Sequence, residues 1–283
     1  MWTYLWQNFL NNEDIIDFIV ETADKNTDKN LDTIEIWPWK CALTKKLVKV
    51  FPNLKLFEKD DTFYDFLQTC VKKENIKMWD FLSAKLGKYI KTDFFNAFWN
   101  LPYYITSPIF RKLTNVSKIK NEKLKIKNLK EEQIDNKNKW VEDNLQNLPK
   151  ISKSPIMKYW IFMIQKEVGE KIKSDAGKKS MLWFLLNFNY DVKYLKTVPA
   201  KDFTPAPKVD SCLVSFEYTW NKINWEFEKL EELLKIMMMY KKKTLWKIQK
   251  ILQKQGKKFD LPENLLNKRM HELGWEEIEK IEF

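Results

Sequence analysis

Glycine is nearly absent from this 283-residue chain: it occurs 5 times, where average usage of ~7% predicts about 20. Arginine is as scarce, with only Arg111 and Arg269, and His271 is the sole histidine. Three cysteines, Cys41, Cys70 and Cys212, stand far apart in the sequence. With one histidine they make no Cys/His zinc site, and their spacing suggests no disulfide framework. No metal is therefore expected. His271 lies in a charged C-terminal stretch and reads as a surface residue rather than a catalytic base. No apolar run approaches the ~20 residues that span a bilayer, and the opening MWTYLWQNFL has neither a basic n-region nor a long apolar core. A cytoplasmic protein with no membrane partner is expected.

What is abundant is lysine and, against expectation, tryptophan. Lys+Arg is 50 against Asp+Glu 39, a net charge of +11, which draws polyanions. Tryptophan occurs 13 times. The length suits one large domain with a smaller satellite.

Residues 13 to 23 place Ile15, Ile16, Ile19 and Val20 on one helical face, and the apolar run Leu31 to Ile36 reads as a strand. A loop at 37 to 41, a helix from Ala42 to Val50 and a short strand from Leu54 to Phe57 follow. That order opens a parallel α/β sheet. Further strands are expected at Ile76 to Trp79, Asp93 to Phe98 and Tyr159 to Ile164, with Ser211 to Glu217 as an antiparallel edge. The whole predicts a doubly wound α/β fold. Residues 111 to 154 carry 12 basic and 6 acidic side chains and read as a Lys/Asn-rich, surface-exposed insertion. From Glu226 the pattern turns helical. Lys241 to Lys258 holds eight lysines and no acid, with an apolar stripe of Leu245, Ile248, Ile251 and Leu252. Such a basic amphipathic helix fits phosphate contact through Lys241, Lys242, Lys243 and Lys247, or else a solvated face docked on the body.

Three segments carry chemistry. Thr33 to Thr44 runs from strand through a tight loop into a helix, the junction at which nucleotide-like ligands sit. Nineteen residues after Trp39, Glu58 ends the next strand, placed to accept ribose hydroxyl protons, and Asp80 follows the strand after that. Asn100-Leu101-Pro102-Tyr103-Tyr104-Ile105-Thr106-Ser107-Pro108 follows a further strand. Its Asn side chain, stiffened carbonyl and aromatic face suit holding the amine of a planar base.

NLPYY with ITSP behind it resembles the catalytic motif of the ribosomal RNA adenine dimethyltransferases of the KsgA type. Gln7 to Leu10, Phe162 to Val168 and Phe203 to Ser211 agree with that family in order. The resemblance implies a Rossmann-like class I S-adenosylmethionine-dependent methyltransferase domain over 1–217 and a small all-helical RNA-binding domain over 218–283. It implies S-adenosylmethionine contacts at Asn8, Leu10, Trp37, Glu58, Asp80 and Asn100. A flipped-out adenine would stack between Tyr103 and Phe203, its amine held by Asn100 and the Pro102 carbonyl. The implied partner is 16S ribosomal RNA within a small-subunit particle, met by a monomer. Leu101 and the size of the C-terminal region favour this class over the large-subunit methyltransferases of macrolide resistance.

The resemblance breaks at five places. Trp6, Trp37, Trp39, Trp79 and Trp99 stand where the family typically has glycine. Bulky indoles at such turns predict poor cofactor binding. Tryptophan and glycine together come close to the expected glycine count, and the Lys, Asn and Ile bias suits an AT-rich gene. UGA codons read as glycine explain both. If the tryptophans stay, the alternative is a non-catalytic RNA-binding assembly factor.

Overall fold

The computed structural model describes residues 8–100, 110, 155–219, 225 and 227–283. Two compact units are present, one of residues 1–163 with 198–208 and a second of residues 164–197 with 209–283.

The first unit opens with β1 (Phe9–Leu10) and α1 (Glu13–Asn26). Asn12 caps α1 through its side chain, which accepts from the Ile15 amide, and Glu13 and Asp14 in the first turn oppose the positive helix end. The buried face of α1 is Ile15, Ile16, Ile19 and Ala23, close to the periodicity of the sequence. β2 (Asp32–Ile36), α2 (Thr44–Val50), β3 (Lys55–Glu58), α3 (Tyr64–Gln68), β4 (Ile76–Met78), β5 (Phe94–Asn100) and β6 (Ile156–Gln165) follow. The strands lie in the order β4-β3-β2-β5-β6, and every pairing among them is parallel. Ile34, Ile36, Leu56, Phe57, Ala97 and Phe98 are inaccessible, as expected where a parallel sheet is covered on both faces. All five strands were legible in the sequence as apolar runs. β8 (Phe203–Thr204) pairs antiparallel with β1, setting Leu10 opposite Phe203.

The second unit holds α4 (Lys166–Ile172), α5 (Met181–Asn187), β7 (Tyr190–Val198), β9 (Ser211–Tyr218), α6 (Phe227–Met239), α7 (Leu245–Lys254) and α8 (Trp275–Ile278). One expectation is corrected here, and one strand is added that the sequence reading lacked. Ser211 to Glu217 does form a strand, but β7 takes the end position of the sheet order beside it, so β9 is not the edge. β7 has a mixed burial pattern with Lys193 and Lys196 along it, which hides it from a search for apolar runs. Leu230, Leu233, Leu234, Leu245, Ile248 and Phe259 centre a helical core. Only Gly permits the close approach of α4 to β9: a Cβ at Gly169 would meet Cys212 Sγ at 2.3 Å.

Cys41 and Cys70 are paired as a disulfide, their Cα atoms 6.7 Å apart. This corrects the expectation from sequence spacing, because the fold brings the loop after β2 beside the end of α3.

Among the described residues no helix is long and apolar enough to cross a membrane.

Candidate functional site: the loop after β2

The chain leaves β2 through Trp37, whose amide donates to the Phe57 carbonyl at 2.8 Å and so keeps one more rung against β3. The path then turns sharply. Trp37 has φ 55°, Trp39 φ 46° and Cys41 φ 57°, every second residue in the left-handed region. The Cys41 amide closes the turn on the Pro38 carbonyl at 2.8 Å, and the Lys45 amide bonds back to the Cys41 carbonyl as α2 begins. Each left-handed non-glycine residue costs about 1–2 kcal/mol, and a bulky one is a true outlier. This is a backbone drawn for glycine and occupied by tryptophan.

Both indoles fold inward. Trp37 is 7% and Trp39 6% exposed. They line a pocket with Phe9, Leu10, Glu35 and Met163. Trp39 meets the Phe9 ring edge-on at 5.7 Å, and Trp37 meets Trp99 at 5.0 Å. Trp99 in turn abuts Phe162 at 4.8 Å, and its buried indole N–H has no hydrogen-bond partner. The cavity left among them is about 110 Å³, while sites for drug-sized or cofactor-sized ligands measure roughly 300–1,000 Å³.

The acids beside this loop are set up differently. Glu58, at the end of β3, is 1% exposed. Its Oε1 accepts from the amides of Lys59 at 2.8 Å and Asp60 at 2.9 Å. Its Oε2 is buried with no hydrogen-bond partner, with the Trp39 amide facing the carboxylate as a further, looser donor. Burial pushes the Glu58 carboxyl up to about 7, against the pull of those amides. Glu35, one residue from the end of β2, is more extreme: burial pushes it up to about 8, with the Thr44 hydroxyl opposing and the Glu58 charge adding to the rise. Its Oε2 too lacks a partner. An unsatisfied carboxylate oxygen at a parallel sheet's carboxyl end fits a ligand carrying vicinal hydroxyls, such as the ribose of S-adenosylmethionine. The acid half of the site therefore fits that cofactor. The loop half does not, because the indoles of Trp37 and Trp39 occupy the space a nucleoside would fill.

Comparison with known proteins decides the family. The sequence profile of the family described as ribosomal RNA adenine dimethylase matches residues 3–273. The chain belongs to the ribosomal RNA adenine dimethylase family. It is 31% identical over 217 residues to ribosomal RNA small subunit methyltransferase A of Fusobacterium nucleatum, covering 75% of this chain and 67% of that protein. It is 28% identical to the protein of the same name from Hydrogenobaculum, over 97% of this chain and 89% of that one. Among solved structures, a dimethyladenosine transferase from Plasmodium falciparum shares its fold with TM-score 0.67 at 21% identity, over 96% of this chain and 95% of that one. The doubly wound, class I methyltransferase fold expected from the sequence is thereby shown.

In this dimethylase the structure gathers some expected residues and leaves others apart. Leu10 and Trp37 line the pocket, and Phe203, 4% exposed, lies opposite Leu10 across the β1–β8 pair. Asn8, half-buried, directly precedes β1. Asp80 sits just past β4, where its Oδ1 accepts from the Leu82 amide and its Oδ2 lies 3.5 Å from Lys59 Nζ; it does not line the pocket. Asn100 is the last residue of β5. Tyr103, Leu101, Pro102, Trp6 and the 111–154 insertion lie outside the described residues. Lys241, Lys242 and Lys243 are exposed on the turn between α6 and α7, and Lys247 is exposed on α7, whose buried side is Leu245, Ile248 and Leu252. Sequence reasoning assigned no role to Glu35 or Phe9. The signal for Glu35 was there, as an acid alternating into an apolar strand, Thr33-Ile34-Glu35-Ile36.

Proposed function

We propose that this ribosomal RNA adenine dimethylase dimethylates the exocyclic amines of adjacent adenosines in small-subunit (16S) ribosomal RNA during ribosome biogenesis. S-adenosylmethionine supplies the methyl groups. The observation that carries the reading is Glu58: a buried carboxylate with one open oxygen, at the end of β3 beside a turn with glycine's backbone angles. In this reading Asn8, Leu10, position 37, Glu58, Asp80 and Asn100 hold the cofactor. Asn100 grips the adenine amine, and Tyr103 and Phe203 stack on the base. Lys241, Lys242, Lys243 and Lys247 contact RNA phosphates, since a row of exposed lysines with no neighbouring acid gains by releasing counterions. The catalytic domain is assigned to 1–217 and the RNA-binding domain to 218–283. The insertion at 111–154 lies against the small-subunit particle, and the protein works in the cytoplasm as a monomer.

The test is mass mapping of dimethyladenosine in small-subunit RNA treated with the protein carrying glycine at 37 and 39. Dimethylated adenosines are expected, and an added Asn100→Ala substitution should abolish them. RNA left unmodified by the glycine form contradicts the reading. The filled pocket also favours a second reading for the tryptophan form: an assembly factor that binds ribosomal RNA without modifying it.

A further inference from the structure

The tryptophans of the 37–41 loop conflict with their surroundings in two ways that both share and a third at Trp37. The backbone at 37 and 39 takes φ 55° and 46°, a conformation that costs glycine nothing and tryptophan a good deal. The two indoles close a pocket that is also lined by Glu35, whose buried Oε2 has no hydrogen-bond partner. Trp37 is also packed against Trp99, whose buried N–H is left without a partner, although buried tryptophans normally find one. A fourth misfit follows after β4, where Trp79 is 55% exposed, an uncommon placement for so large an apolar side chain. Independent point mutations rarely turn the same residue type into the same other type at several turns. A single change in how one codon is read does so everywhere at once. The chain's excess of tryptophan, 13 against 5 glycines, points the same way.

We infer that the codons for Trp37 and Trp39 are UGA, and that the source organism inserts glycine at both. The working protein then has an open cradle beside Glu35. The loop needs no other rearrangement, because its backbone already follows glycine's path. Cys41, the third left-handed residue, has no UGA codon and lies outside this claim. The inference deepens the proposed function, since the cradle is the cofactor side of that site.

The test is peptide mass sequencing of the protein isolated from its own organism, read together with the gene. Cleavage after lysine releases residues 30–40 as one peptide. The expected peptide carries glycine at 37 and 39, lighter by two indolylmethyl groups, and the gene carries UGA at both positions. Tryptophan at either position in that peptide, or UGG in the gene, overturns the inference. A glycine peptide from a protein that leaves small-subunit RNA unmethylated supports the inference and sinks the proposed function instead, so the two failures are distinguishable.

Discussion

Trp183 and Trp225 of the helical unit and Trp37 and Trp39 of the β2 loop are buried to the same degree and are otherwise opposites. Trp183 is 3% exposed, its indole N–H donates to the Lys173 carbonyl at 2.8 Å, and its ring stacks on Trp275 at 5.6 Å with 24° between the planes. Its amide donates to the capping Ser180 hydroxyl oxygen at 3.1 Å. Trp225 is 6% exposed, with the Lys229 ammonium 4.2 Å from its ring centroid. Trp37 and Trp39, 7% and 6% exposed, take backbone angles suited to glycine and close the pocket they line. Burial therefore does not tell whether a residue belongs where it stands. Backbone angle does.

Substituting glycine in each region gives the largest contrast in stability. Trp183→Gly removes a packed indole, worth about 3–5 kcal/mol, adds about 1 kcal/mol for glycine in a helix and leaves the Lys173 carbonyl with the Ala176 amide as its remaining donor. Thermal melting should fall by about 8–24 °C, at roughly 2–4 °C per kcal/mol for a protein of this size. Trp37→Gly with Trp39→Gly also loses buried indole, but relief of strain gives back about 1–2 kcal/mol at each position. Its loss per residue should be clearly smaller, and an equal loss per residue breaks the comparison.

A second effect sharpens the loop side. In the double-glycine form, Glu58→Gln should weaken S-adenosylhomocysteine by about 10–100-fold, the worth of hydrogen bonds to a charged acceptor at ~1.5–3 kcal/mol. Calorimetry reads it directly, and unchanged affinity would remove Glu58 from the site.

Gly169 tests whether a glycine in the helical unit is as tightly required as those expected in the loop. Gly169→Ala places a Cβ at 2.3 Å from Cys212 Sγ, and overpacking of that kind costs about 1–3 kcal/mol. Adding Cys212→Ala should recover part of the loss in denaturant melts. No recovery would place the strain elsewhere.

A last effect is on pH. Burial raises Glu35 from the ordinary 4.5 to about 8 and Glu58 to about 7, so the folded chain holds more protons than the unfolded one between those limits. Stability must then fall as pH rises through the window. Melting should be higher at pH 5.5 than at pH 8.5. Glu35→Gln should flatten the profile, and a profile unaltered by it would show that Glu35 does not titrate there.

Much of the fold was legible because a parallel sheet covered on both faces writes itself as apolar runs, as in Leu54 to Phe57 and Tyr159 to Ile164. β7 was not, since its polar and apolar residues mix along a half-covered strand. The Cys41–Cys70 pair was invisible because a separation of 29 residues says nothing of closeness in space. In the site, Glu58 was legible by its spacing from the loop, whereas the unpaired state of its Oε2 is a property of packing alone. The misplaced tryptophans were legible as a pattern of residue types, and the positive φ at 37 and 39 gave that pattern its physical meaning.

The most direct test of the closed cradle is calorimetric titration of S-adenosylhomocysteine at pH 8 into two full-length forms, the tryptophan chain and the Trp37→Gly/Trp39→Gly chain. Saturable binding by the glycine form, at least about 100-fold tighter than by the tryptophan form and so a difference of ~2.7 kcal/mol or more, is predicted. Equal affinity for both forms, or no binding by the glycine form, would contradict the claim that two indoles close this site.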